Sequence, residues 1–396
     1  MKILSIENAM RCCAVGVLAG LAACESGGGN PAGGGATATG ILKDSNVSGL
    51  SYVSGSRTGI TGPDGAFTYE VGTPVTFSVG GVTIGTATGK SVLTPIDLVS
   101  AGSSKSVQVQ NIVRFLMMLD QNGDPTDGIT ISPAVQKIAG TWAPVKFDAA
   151  DLGAELASII SDAASVDGTP HPLPDPSAAK SHLESTLRCV HSGAFRGTFS
   201  GDDNGPFGVL IDAKTGLLAG FAFSNTDKSL RSLSGSEAVS FDRSAAFVSS
   251  DASSGAAFNG GFAGPDAISG TWNSTAFSAS GTFAGNRIGG VINAAYRFTG
   301  RFSGGGDFGL FAFDVDGSDK ITGVVYSVSG DELLNLTGTL SGTTLSAKAS
   351  DGTVITGTLD KAGGVLSGSW VDSAGSVSGT YSGSGCKLNH FAGSAA

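Results

Sequence analysis

The sequence predicts a mainly β fold: a small β-domain, a helical insert, and then tandem antiparallel Gly-rich β-barrel or meander repeats. Three observations carry this. Gly and Pro number 62 and 13 of 396 residues, well above the usual ~12% together yet short of the proportion that marks low-complexity disorder. Charged residues are only 14% while hydrophobic ones reach 40%, enough for real cores joined by many turns. Seventeen of the 21 Phe lie beyond residue 190, where apolar-x-Gly-x-apolar recurs in strand after strand. The chain carries a net charge of −10, so it lacks the basic footprint that a phosphate backbone requires, and no nucleic acid partner is expected.

Residues 1–23 read as an export leader. Lys2 and Arg11 precede an apolar stretch from Cys12 to Ala23, too short for a ~30 Å hydrocarbon core, which needs about twenty residues. Its end, Leu21-Ala22-Ala23-Cys24, resembles the lipobox of bacterial lipoproteins. The resemblance implies loss of the signal peptide and acylation of Cys24 by palmitate or a similar chain; the alternative is an ordinary secretory leader with a chance Cys. Glu25 stands where inner-membrane retention would place Asp, so the resemblance implies a cell outer membrane lipoprotein. Residues 24–40 are then the lipidated Cys and a Gly-rich tether, with an r.m.s. reach of about 22 Å.

Residues 41–103 read as a small antiparallel β-domain. Val47, Leu50, Tyr52, Phe67, Tyr69, Val75, Phe77 and Val79 fall in strand-like alternation, and Pro63-Asp64-Gly65 makes a turn between two runs. Thr61, Gly65, Phe67 and Tyr69 resemble the T-x-x-x-G-x-F-x-Y turn of prealbumin-like and carboxypeptidase-regulatory-like modules, which implies a spacer or display domain. Gly85 to Ser91 imitates a phosphate-binding loop but is one residue short.

Residues 104–191 change period. Val109, Ile112, Val113, Leu116 and Leu119 share a helical face, and 149–164 and 178–190 give two more helices, joined by a stiff segment containing Pro170, Pro172, Pro174 and Pro176. Directly after the first helical face, Asp120, Asn122, Asp124 and Asp127 resemble a calcium loop. Pro125 replaces its turn Gly and Ile131 its bidentate Glu, and an acidic turn is the competing reading.

Residues 192–290 and 291–386 are two β repeat units, followed by a tail, 387–396. Phe195-Arg196-Gly197-Thr198-Phe199 matches Phe298-Thr299-Gly300-Arg301-Phe302, and Ser269-Gly270-Thr271-Trp272 matches Ser367-Gly368-Ser369-Trp370. About eight short strands fit each unit, which suits an eight-stranded meander or barrel. The central Gly lets a sheet bend and lets a neighbouring ring cover bare backbone. Strands of six to eight residues with polar outward positions such as Asp314, Lys348, Thr356 and Thr358 do not suit a transmembrane barrel. In style the Gly-rich strands, such as Ser280 to Gly285, are similar to those of the transferrin-binding-protein and factor-H-binding lipoproteins of Gram-negative surfaces, although the acidic-Gly hairpin of that group is absent.

With Cys12, Cys13 and Cys24 assigned to the leader and anchor, Cys189 and Cys386 remain. An exported pair reads as a disulfide; the alternative is zinc, with His191 and His390 completing the set. A disulfide would clasp the start of the repeat array to its end.

No nucleophile elbow, H-E-x-x-H pair or C-x-x-C is present, and His171, His182, His191 and His390 are not placed by motif in any catalytic role. Asp202, Asp203 and Asp307 sit in Gly-flanked turns. The expectation is therefore not an enzyme, with no cofactor except possible Ca²⁺. The layout resembles uncharacterised adhesin-like Gram-negative lipoproteins, which implies a lipid-anchored, surface-exposed protein whose partners are the membrane, through its anchor, and an extracellular macromolecule or glycan. Two alternatives stay open: a periplasm-facing barrel that carries a small apolar ligand, and a hydrolase.

Overall fold

The structure is a computed structural model describing residues 35–251, 255–264, 266–289, 294–330 and 332–388. The leader, Cys24 and His390 lie outside the described residues.

Nine short strands and four helices form the N-terminal part. The strands are β1 (Thr37–Leu42), β2 (Val47–Ser48), β3 (Ser51–Ser54), β4 (Arg57–Ile60), β5 (Ala66–Glu70), β6 (Pro74–Val79), β7 (Val82–Thr88), β8 (Val92–Leu93) and β9 (Ile129–Thr130). They pair as β5-β1-β8, β4-β3-β6-β7 and β2-β9. The β1–β8 and β2–β9 ladders are parallel, a departure from the all-antiparallel domain the sequence suggests. The Pro63–Gly65 turn forms as expected: Gly65 takes φ 78°, and the Asp64 carboxylate accepts the Ala66 amide at 3.0 Å.

The helices are α1 (Val107–Met118), α2 (Pro133–Ile138), α3 (Leu152–Asp167) and α4 (Pro176–His191). Their ends follow from sequence chemistry. Ser132 caps α2 by accepting the Val135 amide, with Pro133 in the first turn. Asp151 caps α3, and Gly168 ends it in the left-handed region at φ 71°. Sequence periodicity missed α2, which is too short to show a face. Phe67, Phe77, Leu42 and Leu50 of the strand segment and Ile112, Leu116, Leu183 and Leu187 of the helices are buried together in one core.

The two repeat units close into two separate eight-stranded antiparallel barrels. The first comprises β10 (Gly193–Gly201), β11 (Gly205–Ile211), β12 (Leu217–Phe223), β13 (Leu230–Ala238), β14 (Phe247–Asp251), β15 (Ala256–Phe262), β16 (Ala267–Ser274) and β17 (Ala279–Ile288). The second comprises β18 (Tyr296–Gly304), β19 (Asp307–Val315), β20 (Lys320–Ser327), β21 (Glu332–Ser341), β22 (Thr344–Ala349), β23 (Val354–Asp360), β24 (Val365–Val371) and β25 (Ser378–Lys387). Closure pairs β10 with β17 and β18 with β25, which removes the free edges that tempt a sheet to aggregate.

The inward glycines do what the pattern implies. A Cβ on Gly281 would stand 2.5 Å from the Trp272 indole nitrogen, and one on Gly379 would stand 2.5 Å from that of Trp370. Each ring therefore lies on bare backbone, at matching places in the two barrels.

Two expectations are corrected. Several strands run nine or ten residues rather than six to eight, among them β10, β17, β18 and β25, because a mid-strand Gly bends the strand without ending it. Asp314 is not a solvent-facing position: it is 3% exposed, and its two oxygens accept from Arg297 Nε at 3.0 Å and Nη2 at 3.2 Å. It points out of the second barrel into packed protein. There Ala194 and Leu210 of the first barrel meet Leu310 and Ala312 of the second, Phe221 meets Phe308 edge-on at 5.3 Å, and Ser384 donates to Asp212 at 2.6 Å.

Candidate functional site

The repeat makes each barrel a control for the other. The first is filled with rings: Trp272 packs with Phe199 at 5.6 Å and Phe258 at 6.4 Å, and Phe283 with Phe258 at 5.4 Å and Phe207 at 5.7 Å. The ladders identify the counterparts. Phe258 stands opposite Trp272 across β15–β16, as Ile355 stands opposite Trp370 across β23–β24. Phe247 stands opposite Gly260, as Leu345 stands opposite Gly357. Phe283 lies beside Phe199 and Gly270, as Tyr381 lies beside Phe302 and Gly368. Two rings of the first barrel are thus replaced by smaller aliphatic chains in the second.

The second barrel consequently holds a cavity of about 80 Å³, space for several waters at roughly 10–15 Å³ each. Phe302, Phe311, Trp370 and Tyr381 line it together with Asp307 and Asp351. It opens at the end where turns join β18 to β19, β20 to β21 and β22 to β23. The opposite end of the barrel is tied to α4 and to the N-terminal core.

Its polar groups are unusual. Trp272 in the first barrel donates its indole N–H to the Ser200 carbonyl at 3.0 Å, whereas the Trp370 nitrogen and the Tyr381 hydroxyl, both buried, have no hydrogen-bond partner among the described residues. Burial pushes the Tyr381 phenol up to about 12, so it stays a donor at neutral pH. Orphaned buried donors are rare and costly; here both atoms lie against glycine backbone, Gly379 for Trp370 and Gly357 and Gly368 for Tyr381, rather than on the open cavity. At the rim, Asp307 accepts from Ser327 at 2.8 Å and from the Phe308 amide at 2.7 Å, and Asp351 accepts from the Thr353 amide at 2.9 Å and its hydroxyl at 2.8 Å. Each carboxylate retains acceptor capacity. Of these residues, Asp307 was visible from sequence only as turn chemistry. Trp370 and Tyr381 appeared only as barrel filler. The signal that finds them is the unequal volume of matched repeat positions.

A second centre lies where α4, the N-terminal core and the end of β25 meet. Cys189 and Cys386 are joined by a disulfide, Cα–Cα 5.7 Å, at a sequence separation of 197, so the geometry favours the disulfide over zinc. His191 is turned instead against Phe262, ring centroids 4.6 Å apart, and burial pushes its imidazole down to about 4. Close by, Lys43 donates to the Leu388 carbonyl and to Asn46, and Asp44 lies fully buried with His182 Nε2 3.4 Å away. A cleft beside them is lined by Arg188, Lys214, Lys361 and Lys387. Lys361 pairs with Asp319 within the second barrel, whereas Lys387 donates to the Thr126 carbonyl and so bridges that barrel to the N-terminal part.

The sequence-proposed calcium residues are close in chain but bond within their own turn. Asn122 donates to Asp127 at 3.1 Å, its carbonyl oxygen accepts the Asp124 amide at 2.8 Å, and Asp124 accepts the Thr126 hydroxyl at 2.6 Å. Asp120 accepts the Thr130 amide at 2.8 Å, and burial raises its carboxyl above the usual range. No group of three or more His, Cys, Asp or Glu among the described residues is placed to hold a metal.

Nor do the described His assemble a triad. Ser132 donates to Asp167 at 2.6 Å, and His171 Nε2 lies 3.2 Å from that same carboxylate while its Nδ1 faces the Met118 carbonyl at 2.7 Å. The acid stands between Ser and His, the wrong order for activating a nucleophile. Lys90 of the phosphate-loop imitation is paired with Asp97 at 2.8 Å. Asp202 and Asp203 serve turns, accepting the Ser280 amide at 2.9 Å and the Thr226 hydroxyl at 2.6 Å. No helix among the described residues is long and apolar enough to cross a membrane.

No protein-family model and no curated protein sequence matches the chain. Among solved structures, it is similar to transferrin binding protein B from Haemophilus parasuis, at 10% identity over 50% of this chain and 76% of that one, TM-score 0.19. It is also similar to the Burkholderia oklahomensis agglutinin, at 10% identity over 48% and 95%, TM-score 0.16. A third is the Myxococcus xanthus hemagglutinin in complex with a mannopentaose, at 13% identity over 48% and 92%, TM-score 0.15.

Proposed function

We propose that this chain is a non-catalytic binding protein, anchored through lipidated Cys24 to the outer membrane and exposed at the cell surface, with its ligand site in the open end of the second barrel. One observation carries the binding reading: of two matched barrels, one is filled with rings and the other keeps an aromatic cavity with Asp307 and Asp351 at its rim. Concave, mostly apolar sites with a few convergent polar groups are the usual form of ligand pockets. The Ser-Asp-His order around Asp167 weighs against the hydrolase alternative.

A thermal-shift screen of mixed small ligands against the wild type and Ile355→Phe tests the site. Hits on the wild type that vanish in the filled variant support it; hits retained by both place binding elsewhere. Location is tested by proteinase treatment of intact cells, with Cys24→Ser as control. Digestion on whole cells that is lost when the variant is released supports surface anchoring, whereas protection until the outer membrane is broken supports a periplasm-facing carrier. Calcium binding at Asp120, Asn122, Asp124 and Asp127 is a separate proposal, tested by titrating Ca²⁺ against the metal-free protein; no heat at millimolar calcium would remove it.

A further inference from the structure

The seam between the two barrels is not closed along its whole length. Phe221 of β12 meets Phe308 of β19 edge-on, ring planes 63° apart, and Phe221 is a wall common to two separate pockets. One, of about 200 Å³, is also lined by Phe223, Leu230 and Val328 and has no charged lining residue; Leu230 is 43% exposed there. The other, of about 310 Å³, is lined by Phe308, by the Ser303 and Ser382 hydroxyls and by Arg301, with no carboxylate among its lining residues. Arg301 is exposed and makes no ion pair among the described residues. The repeat does not require an Arg there, because Thr198 stands at the matched position of the first barrel. In a chain of net charge −10, a free guanidinium in a cleft without acids is complementary to an anion.

An anion beside apolar surface can belong to an acidic sugar, a fatty acid or a peptide, and the shape of the seam separates them. A sugar stacks its C–H face on a flat platform, which an edge-on pair of rings does not provide. A fatty acid needs one continuous channel for its chain, and the Phe221 ring divides this space in two. An extended peptide meets both conditions. Its residues i and i+2 point the same way about 6.7 Å apart, so an apolar and an acidic side chain can enter the two pockets on either side of Phe221. Aromatic residues and Arg are also those enriched at protein interfaces. We propose that the seam between the barrels docks an extended segment of a partner protein, with an apolar side chain beside Leu230 and Phe223 and, two residues away, a carboxylate paired with Arg301. This site is distinct from the cavity of the second barrel and stands whether or not that cavity takes a ligand.

The Arg301 Nε–H resonance of the ¹⁵N-labelled protein reports this site directly, with Arg301→Gln assigning the peak. The probes are the acetylated, amidated peptides Leu-Ser-Glu and Glu-Ser-Leu, one for each chain direction, at millimolar concentration. Sodium dodecanoate and sodium glucuronate serve as the lipid and sugar comparisons. At least one peptide is expected to shift the Arg301 peak saturably, and the two comparison anions to leave it in place. The same peptide with Gln for Glu should bind roughly tenfold more weakly, the loss of a hydrogen bond between charged groups. Leu230→Ser, an exposed change outside the core, should weaken binding as well. No shift with either peptide overturns the docking site, and equal binding of the Gln peptide overturns the pairing with Arg301. Equal binding by Leu230→Ser overturns the apolar half of the site. A shift with dodecanoate or glucuronate that equals or exceeds the peptide's overturns the peptide assignment in favour of a lipid or an acidic sugar.

Discussion

Tyr381 and Phe283 occupy the same place in two copies of one barrel, and they differ by a single buried hydroxyl that has no hydrogen-bond partner among the described residues. A Cβ on Gly357 or Gly368 would stand 2.3 Å or 2.5 Å from that oxygen, so the ring is held down on backbone that no side chain protects.

Tyr381→Phe should therefore stabilise the free protein. Removing a buried, unsatisfied hydroxyl relieves a desolvation cost of about 1–3 kcal/mol, so a rise of about 1 kcal/mol in unfolding free energy is expected by denaturant titration. A loss of stability would mean that the hydroxyl is bonded in solution.

Ile355→Phe copies the ring that Phe258 supplies in the first barrel. It should fill the cavity with little loss of stability, within about 1–3 kcal/mol even where the fit is imperfect. Its denaturant midpoint and the loss of ligand shifts check this together.

Much of this was legible in the sequence, and the reasons are specific. Apolar-x-Gly-x-apolar names the inward face of each strand, because period two and ring-over-Gly packing are local properties. The 103- and 98-residue offsets, Phe195 to Phe298 and Trp272 to Trp370, pair the two barrels correctly for the same reason. The Cys189–Cys386 bond followed from having two Cys left over. Asp314 was misjudged because outward from a barrel is not outward from the protein: alternation gives the face, and only the packing of the second barrel shows what covers it. The parallel β1–β8 and β2–β9 ladders depend on chain segments that return from a distance. The cavity depends on the difference between Phe258 and Ile355, a comparison that carries meaning only once register fixes them as counterparts.

Breaking the Arg297–Asp314 pair should be severe. Asp314→Ala leaves a buried guanidinium uncompensated, which costs on the order of 3–5 kcal/mol, read as a lowered unfolding midpoint. Replacing an exposed turn carboxylate such as Asp148 with Ala should cost far less.

The disulfide closes a loop spanning 197 sequence positions, and the chain-entropy argument assigns it upwards of ~4 kcal/mol. The double variant Cys189→Ser, Cys386→Ser should lose several kcal/mol in denaturant titration, and EDTA should leave the wild type unchanged. Destabilisation by EDTA would return the zinc alternative.

Asp44 sets a pH signature. Burial pushes its carboxyl from 3.8 up to about 6, opposed in part by His182. The folded state therefore binds the proton more tightly than the unfolded chain. Its contribution is fully present below about pH 4 and is lost as pH rises through about 6, on the order of 3 kcal/mol in all. Asp44→Asn should lack this descent, so the two unfolding curves should diverge between pH 4 and pH 6. Lys43 acts in a separate window: burial lowers its ammonium from 10.5 to about 7, so stability rises with pH across that alkaline range. Curves for wild type and Asp44→Asn that run parallel from pH 4 to pH 6 would show that Asp44 is not buried as described.

The central claim is that the second barrel, and not the first, takes the ligand. Isothermal titration of the strongest screening hit against the wild type and Ile355→Phe tests it most directly. Saturable one-site binding to the wild type, with no detectable heat for Ile355→Phe at equal protein concentration and an unchanged circular dichroism spectrum, is the predicted result. Equal affinity for the two proteins would contradict it.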